Sequence, residues 1–147
     1  MTSTIEDTLK HVLVMARYLN SSDPQSAAIA VLIDLGIATK SPGFAYLKDA
    51  IVLFLDDPIQ LVTKGIYPAI GECYQSKPSA KQVEIAIRRA ITDAWECRNE
   101  RTWAYYFKPD RNGKIKKPTN AEFISMIAYF LELWKGCSKG VSRYERG

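Results

Sequence analysis

Apolar residues recur at helical intervals along most of the chain, and no run of any length alternates with the two-residue period of a strand. Ile5, Leu9, Val12, Leu13 and Ala16 form an amphipathic stripe that predicts a first helix over 4–19. Asn20-Ser21-Ser22-Asp23-Pro24 then breaks the pattern. A second helix is predicted over 26–35 with Gly36 as its cap, and a third over 43–55. Asp57 before Pro58 reads as an N-cap followed by proline in the first helical position, starting a short fourth helix that Gly65 ends. The last long helix is predicted over 123–134, capped by Thr119 or Asn120. With no strand pattern and no internal repeat, the economical fold class is all-α, a compact multi-helix domain of about six helices.

Residues 67–95 carry the most informative pattern: a helix that Pro68 can start, a tight polar turn, and a second helix with a basic face. Pro78 disfavours helical geometry at Lys77 and lacks a donor of its own, so Ser76-Lys77-Pro78 interrupts the two runs. Ser79 restarts the helix, with Gln82 where a capping box wants Glu or Gln. Val83, Ile87, Ala90, Ile91 and Ala94 then form a buried stripe. Opposite it lie Lys81, Glu84, Ile85, Arg88, Arg89 and Thr92. Positions 85, 88, 89 and 92 project together, and two guanidiniums on that face can fork onto guanine O6 and N7. This is the layout of a helix-turn-helix DNA reader at about 67–97. Glu84, Ile85, Arg88, Arg89 and Thr92 are its candidate base-reading residues, and Lys77, Ser79 and Lys81 are candidates for phosphate contact at the helix N-terminus. A solvated basic face on an ordinary amphipathic helix has the same spacing, so the pattern alone does not single out DNA.

Charge sharpens the picture. The net charge of +4 is unevenly placed: four Lys/Arg against seven Asp/Glu in residues 1–59, sixteen against nine in 60–147, a balance of −3 against +7. A basic half that carries the candidate reader suits a polyanion. Residues 98–117 are its most basic and aromatic stretch, and Asp110-Arg111-Asn112-Gly113 signals a turn, read as a hairpin tip between 103–107 and 114–117. Lys108, Arg111, Lys114, Lys116 and Lys117 can neutralise phosphates beside the groove, with Trp103, Tyr105 or Phe107 packed inside.

Cys73, Cys97 and Cys137 are odd in number and lack metal-ligand spacing, which points to free thiols in a reducing compartment. No secretory signal and no membrane-length apolar run is present, so a cytoplasmic protein with no membrane contact is expected. An enzyme is the class to reject. His11 is the one histidine and has no acid, nucleophile or ligand set around it, and helix capping explains Asp56-Asp57. No phosphate loop, nucleophile elbow or metal spacing appears, and no cofactor is implied.

Four collinear segments carry a resemblance. They are Gly43-Phe44-Ala45-Tyr46-Leu47-Lys48-Asp49-Ala50-Ile51, Thr63-Lys64-Gly65-Ile66-Tyr67-Pro68-Ala69-Ile70, Val83-Glu84-Ile85-Ala86-Ile87-Arg88-Arg89-Ala90-Ile91, and Lys117-Pro118-Thr119-Asn120-Ala121-Glu122-Phe123-Ile124, with Trp95 closing the second helix of the reader. From about 27 to 133 the chain resembles the C-terminal effector domain of the stage-zero sporulation protein A family, the master sporulation response regulators of spore-forming Firmicutes. The resemblance implies an all-helical fold whose recognition helix enters the major groove of a box like TGTCGAA. Glu84, Arg88 and Arg89 match DNA-facing positions of that helix. Two departures stand out: Ile85 replaces the family's usual arginine, removing a guanine-reading fork, and Arg89 replaces a common histidine. Altered or lost specificity is the implied consequence, with Ile85 able to meet a thymine methyl.

The expected organisation is an N-terminal helix and break at 1–24, the effector domain at 25–135, and a basic, flexible tail at 136–147. The first helix completes the core, dimerises or binds a partner. Too few residues precede the effector domain for a receiver, so control by phosphorylation of this same chain is not expected. The resemblance implies double-stranded DNA as partner, a dimer on tandem sites with the 121–134 helix at the contact, and RNA polymerase or another regulator as a further partner. The competing reading is a protein-interaction module that keeps the fold and binds or antagonises another regulator.

Overall fold

The structure, a computed structural model, describes the backbone of residues 23–145 and the side chains of 23–133. The helix expected over 4–19, with His11, lies outside the described residues. Six α-helices and one π-helical turn make up the regular structure described, with no strand among those residues. They are α1 (Pro24–Asp34), α2 (Pro42–Asp56), the π-turn (Val62–Ile66), α3 (Tyr67–Cys73), α4 (Ala80–Glu96), α5 (Glu100–Tyr106) and α6 (Asn120–Glu145). The all-α class read from periodicity is the fold observed.

Local chemistry sets most boundaries. Asp23 caps α1, accepting from the Gln25 amide at 3.0 Å and the Ser26 hydroxyl at 2.8 Å. At its other end Gly36 takes φ +85, which lets its amide reach the Ile33 carbonyl and the Ile37 amide reach the Leu32 carbonyl, both at 3.0 Å. That pair of bonds is a Schellman stop, sealed by the buried Ile37. Ser41 caps α2 ahead of Pro42, and the helix stops at Asp57 because Pro58 disfavours helical geometry before it.

The expected fourth helix is not formed. Asp57 accepts from the Ile59 amide and the Gln60 amide bonds back to the Asp57 carbonyl, so its capping capacity closes a turn and goes no further. Helical structure resumes at the π-turn, where the Gly65 and Ile66 amides both reach the Leu61 carbonyl, and it runs directly into α3. Gly65 therefore lies inside helical structure and ends nothing.

Residues 103–107 are likewise not a hairpin strand. Asn99 accepts from the Arg101 and Thr102 amides at 3.1 Å and starts α5, which turns Trp103, Tyr106 and Phe107 into the core. The turn beyond them is real: the Asp110 amide bonds to the Lys114 carbonyl, and Gly113 supplies φ +75. Thr119 caps α6 through a box with Glu122, whose amide and carboxylate exchange bonds with Thr119 at 3.2 Å. That hydrogen bonding also holds the Glu122 carboxyl below its ordinary range. The α6 backbone stays helical to Glu145, past the end expected at 134.

The central helix is α2, which packs against α1, α4 and α6 and presents Gly43, Leu47, Ala50 and Ile51 at helical spacing. Trp103 is fully buried, stacks on Phe107 at 5.3 Å and meets Trp95 edge-on at 5.4 Å, while its indole donates to the Leu35 carbonyl at 3.1 Å. Tyr106 donates to Asp34 at 2.6 Å, and Tyr105 lies outward. Among the described residues no charged side chain is buried, the buried polar groups being those of Trp103, Tyr67 and Tyr106, and no helix is long and apolar enough to cross a membrane.

Candidate nucleic-acid interface

The first helix of the motif is short, and its junction with α4 is tight. A Cβ on Gly71 would sit 2.4 Å from the Pro78 carbonyl, so only glycine lets the chain fold back this closely. Pro78 drives Lys77 out of the right-handed helical region, as the sequence predicts, yet Lys77 takes the left-handed φ of +43 rather than an extended one. Its amide bonds back to the Tyr74 carbonyl at 3.0 Å. Tyr74 ties the turn to α2, donating to Asp49 at 2.5 Å and packing edge-on to Tyr46 at 5.1 Å. Burial, and then that bond to a carboxylate, push the Tyr74 hydroxyl well above its ordinary value.

The start of α4 is the capping box expected. Ser79 Oγ accepts from the Gln82 amide at 3.1 Å, and Gln82 Oε1 accepts from the Ser79 amide at 2.8 Å. The Ser79 oxygen is thereby engaged, and its hydroxyl hydrogen remains available to a phosphate. Val83, Ile87, Ala90, Ile91 and Ala94 are the buried stripe. Behind them α2 comes close at Gly43, where a Cβ would meet the Ala86 carbonyl at 2.4 Å and Ala90 Cβ at 2.6 Å.

On the opposite face Lys81, Ile85, Arg88 and Arg89 are exposed, and Glu84 and Thr92 are half-buried. Glu84 gathers two cations: Arg88 one turn on, in close contact, and Lys81 at 3.5 Å. Ile85 is 39% exposed, an apolar side chain flanked by the two arginines. They look into different depressions. Arg88 lines a cleft of about 510 Å³ with Thr63, Tyr67, Glu84, Lys117 and Asn120, whereas Arg89 lines one of about 260 Å³ with Ile85, Ser41 and Pro42. Exposed ion pairs on a helix contribute only about 0.3–0.5 kcal/mol, so the Glu84 contact does not commit Arg88.

Lys117 is drawn onto this face. It is half-buried, and its ammonium donates to Thr92 Oγ1 at 2.6 Å, so Thr92 lies beneath a cation from outside the motif. Lys108, Arg111, Lys114 and Lys116 are exposed along the segment that leads to it, and Lys77 is exposed with Glu72 3.4 Å away. Arg98 is occupied elsewhere: it stacks over Trp95 at 3.6 Å, donates to the Trp95 carbonyl and pairs with Glu100, closing the end of α4.

Two contributors escape the sequence pattern. Asn120 reads there only as a possible cap, but its side-chain amide donates to the Tyr67 hydroxyl at 3.1 Å and to the Glu84 backbone carbonyl at 3.0 Å. Tyr67 is buried, and burial pushes its hydroxyl up. No local spacing links positions 67, 84 and 120. Cys73 and Cys97 are free and exposed, and Cys137 lies outside the described side chains. Among the described residues no group of three His, Cys, Asp or Glu side chains is placed to hold a metal.

A basic helix packed against α2 from behind and presenting several exposed cations suits a polyanionic partner. A family model described as the sporulation initiation factor Spo0A C terminal matches residues 28–131, from within α1 to within α6. The chain thus belongs to the family of the C-terminal DNA-binding domain of the sporulation initiation factor Spo0A.

Proposed function

We propose that this protein is a sequence-specific double-stranded DNA-binding regulator of transcription whose α4 enters the major groove. The observation that carries this reading is the α4 face itself: Lys81, Ile85, Arg88 and Arg89 project together from a helix capped at its start and packed against α2 behind. Arg88 and Arg89 are assigned to base edges, where a bidentate contact to guanine is worth roughly 1–3 kcal/mol. That exceeds the exposed pair Arg88 leaves, so DNA wins the arginine. Glu84, Ile85 and Thr92 supply secondary readout, Glu84 as an acceptor for cytosine N4 and Ile85 as an apolar surface for a thymine methyl. Lys77, Ser79, Lys81 and the basic residues Lys108, Arg111, Lys114, Lys116 and Lys117 take phosphates.

A dimer on tandem sites fits an apolar stripe on α6, where Met126, Tyr129 and Leu133 are 37%, 62% and 51% exposed at helical spacing. The same stripe favours the second reading, an interaction module that binds another regulator, with RNA polymerase a further candidate partner. Fluorescence anisotropy on a duplex with tandem TGTCGAA-like boxes and on a scrambled duplex, each at two salt concentrations, separates the readings. Tighter binding to the boxes that survives added salt is expected. Equal, salt-sensitive binding would leave only a basic domain on these boxes and point to altered specificity or to the interaction module.

A further inference from the structure

We infer that Asn120 is a positioning residue for DNA recognition, its carboxamide setting where α4 stands relative to α3 and the start of α6. This rests on the reading of α4 as the base-reading helix. A side-chain amide carries two hydrogens in one plane, and Asn120 uses them on two different helices: the Tyr67 hydroxyl on α3 at 3.1 Å and the Glu84 carbonyl on α4 at 3.0 Å. A planar group with both donors engaged determines the separation of its two acceptors. Glu84 is the point on α4 that matters most, because its carboxylate holds Arg88 and Lys81.

A second contact from the same segment lies two turns further along. Lys117 donates to Thr92 at 2.6 Å, and the buried Pro118 stiffens the link between the two contacts. Residues 117–120 thus form a strap that grips α4 at 84 and 92. The back of α4 is held by apolar packing against α2 and α6, which resists separation better than it resists small sliding or rotation. Directional bonds at 84 supply what that packing lacks. Base contacts need placement within about 0.5 Å, whereas phosphate contacts tolerate looser geometry. The strap consequently acts on discrimination more than on affinity.

Asn120→Ala removes both bonds, and Tyr67→Phe removes one acceptor at smaller risk to folding. Each full-length variant is titrated by anisotropy on the boxed and scrambled duplexes at two salt concentrations, and α4 amide shifts are compared by NMR in the free proteins. Asn120→Ala is expected to lose about tenfold of the preference for the boxes while keeping its affinity for the scrambled duplex and its salt slope. Tyr67→Phe is expected to show a smaller loss in the same direction. In both free variants, shifts should change around positions 84–88 and not at the C-terminal end of α4. Preference unchanged in both folded variants overturns the inference, and so does a parallel fall on both duplexes, the mark of general destabilisation. Should the unmodified protein show no preference, reading of these boxes by α4 fails and the strap does not; unchanged α4 shifts in both variants would then overturn the strap on its own.

Discussion

Replacing Gly43 by alanine tests how α4, the proposed recognition helix, is seated. The added Cβ would stand 2.4 Å from the Ala86 carbonyl oxygen and 2.6 Å from Ala90 Cβ, both on α4. Side-chain carbons essentially never come within 3.0 Å of such atoms, so α2 and α4 must part by at least the 0.6 Å that separates 2.4 from 3.0 Å. The atom in the way is backbone, which cannot swing aside. Overpacking of this kind costs about 1–3 kcal/mol, and alanine regains at most about 1 kcal/mol as the better helix former. Subtracting the full gain leaves a net loss of up to about 2 kcal/mol, or up to roughly 8 °C in Tm for a chain of this size. Thermal and urea unfolding measure it, with Gly113→Ala as the control. That glycine has φ +75 and no atom within 4 Å of its added Cβ, so alanine there carries backbone strain of about 1 kcal/mol and no clash. The two substitutions part on DNA: displacing α4 should erode preference for the boxes, and strain at the 110–113 turn, assigned to phosphates and not to bases, should not. A Gly43→Ala protein as stable and as discriminating as the parent would refute the close approach as the determinant of the α4 seat.

Other substitutions probe separate links. Arg88→Ala is expected to weaken binding to a matched duplex by ~1–3 kcal/mol and to relax preference at one base, whereas Lys114→Ala should weaken matched and scrambled duplexes alike and lower the salt slope by roughly one. Equal losses on both duplexes from Arg88→Ala would count against base reading. Ser79→Ala removes the acceptor for the Gln82 amide and should cost ~1 kcal/mol in urea unfolding. An unchanged midpoint would mean that solvent caps α4 as well as Ser79 does. The hydroxyls of Tyr74 and Tyr106 are both pushed up, by burial and then by donation to Asp49 and Asp34. A raised folded pKa adds stability that is fully present below the ordinary tyrosine value near 10 and is lost as pH rises toward the folded value. Unfolding midpoints should therefore fall above pH ~10, less steeply in Tyr106→Phe, and a flat alkaline limb in the parent would contradict the raised tyrosine hydroxyls.

Much of the site was legible because it is encoded within a turn or two of chain. The box of Ser79 and Gln82, the proline break at Lys77 and the stripe from Val83 to Ala94 are contacts between near neighbours, and each stands where the spacing predicts. The misreadings arose where two local solutions compete. Asp57-Pro58 carries the signal of a helix start and also that of a turn, and the chain takes the turn because helical structure resumes only at the Leu61 carbonyl. Residues 103–107 suit a strand as aromatics, but the Asn99 cap and the burial of Trp103, Tyr106 and Phe107 on one side make them helical.

By itself the sequence determined the helical class, the caps at Gly36, Ser79 and Thr119, the helix-turn-helix and which cations share its outer face, since periodicity and capping act over a few residues. Only the tertiary structure decided how that reader is held. Gly43 meets Ala86 across α2 and α4, Lys117 reaches Thr92, and Asn120 joins Tyr67 to Glu84 across 53 and 36 residues of sequence. Such contacts have no local signature, because the distance between their partners is set by the packing of whole helices around a shared apolar core.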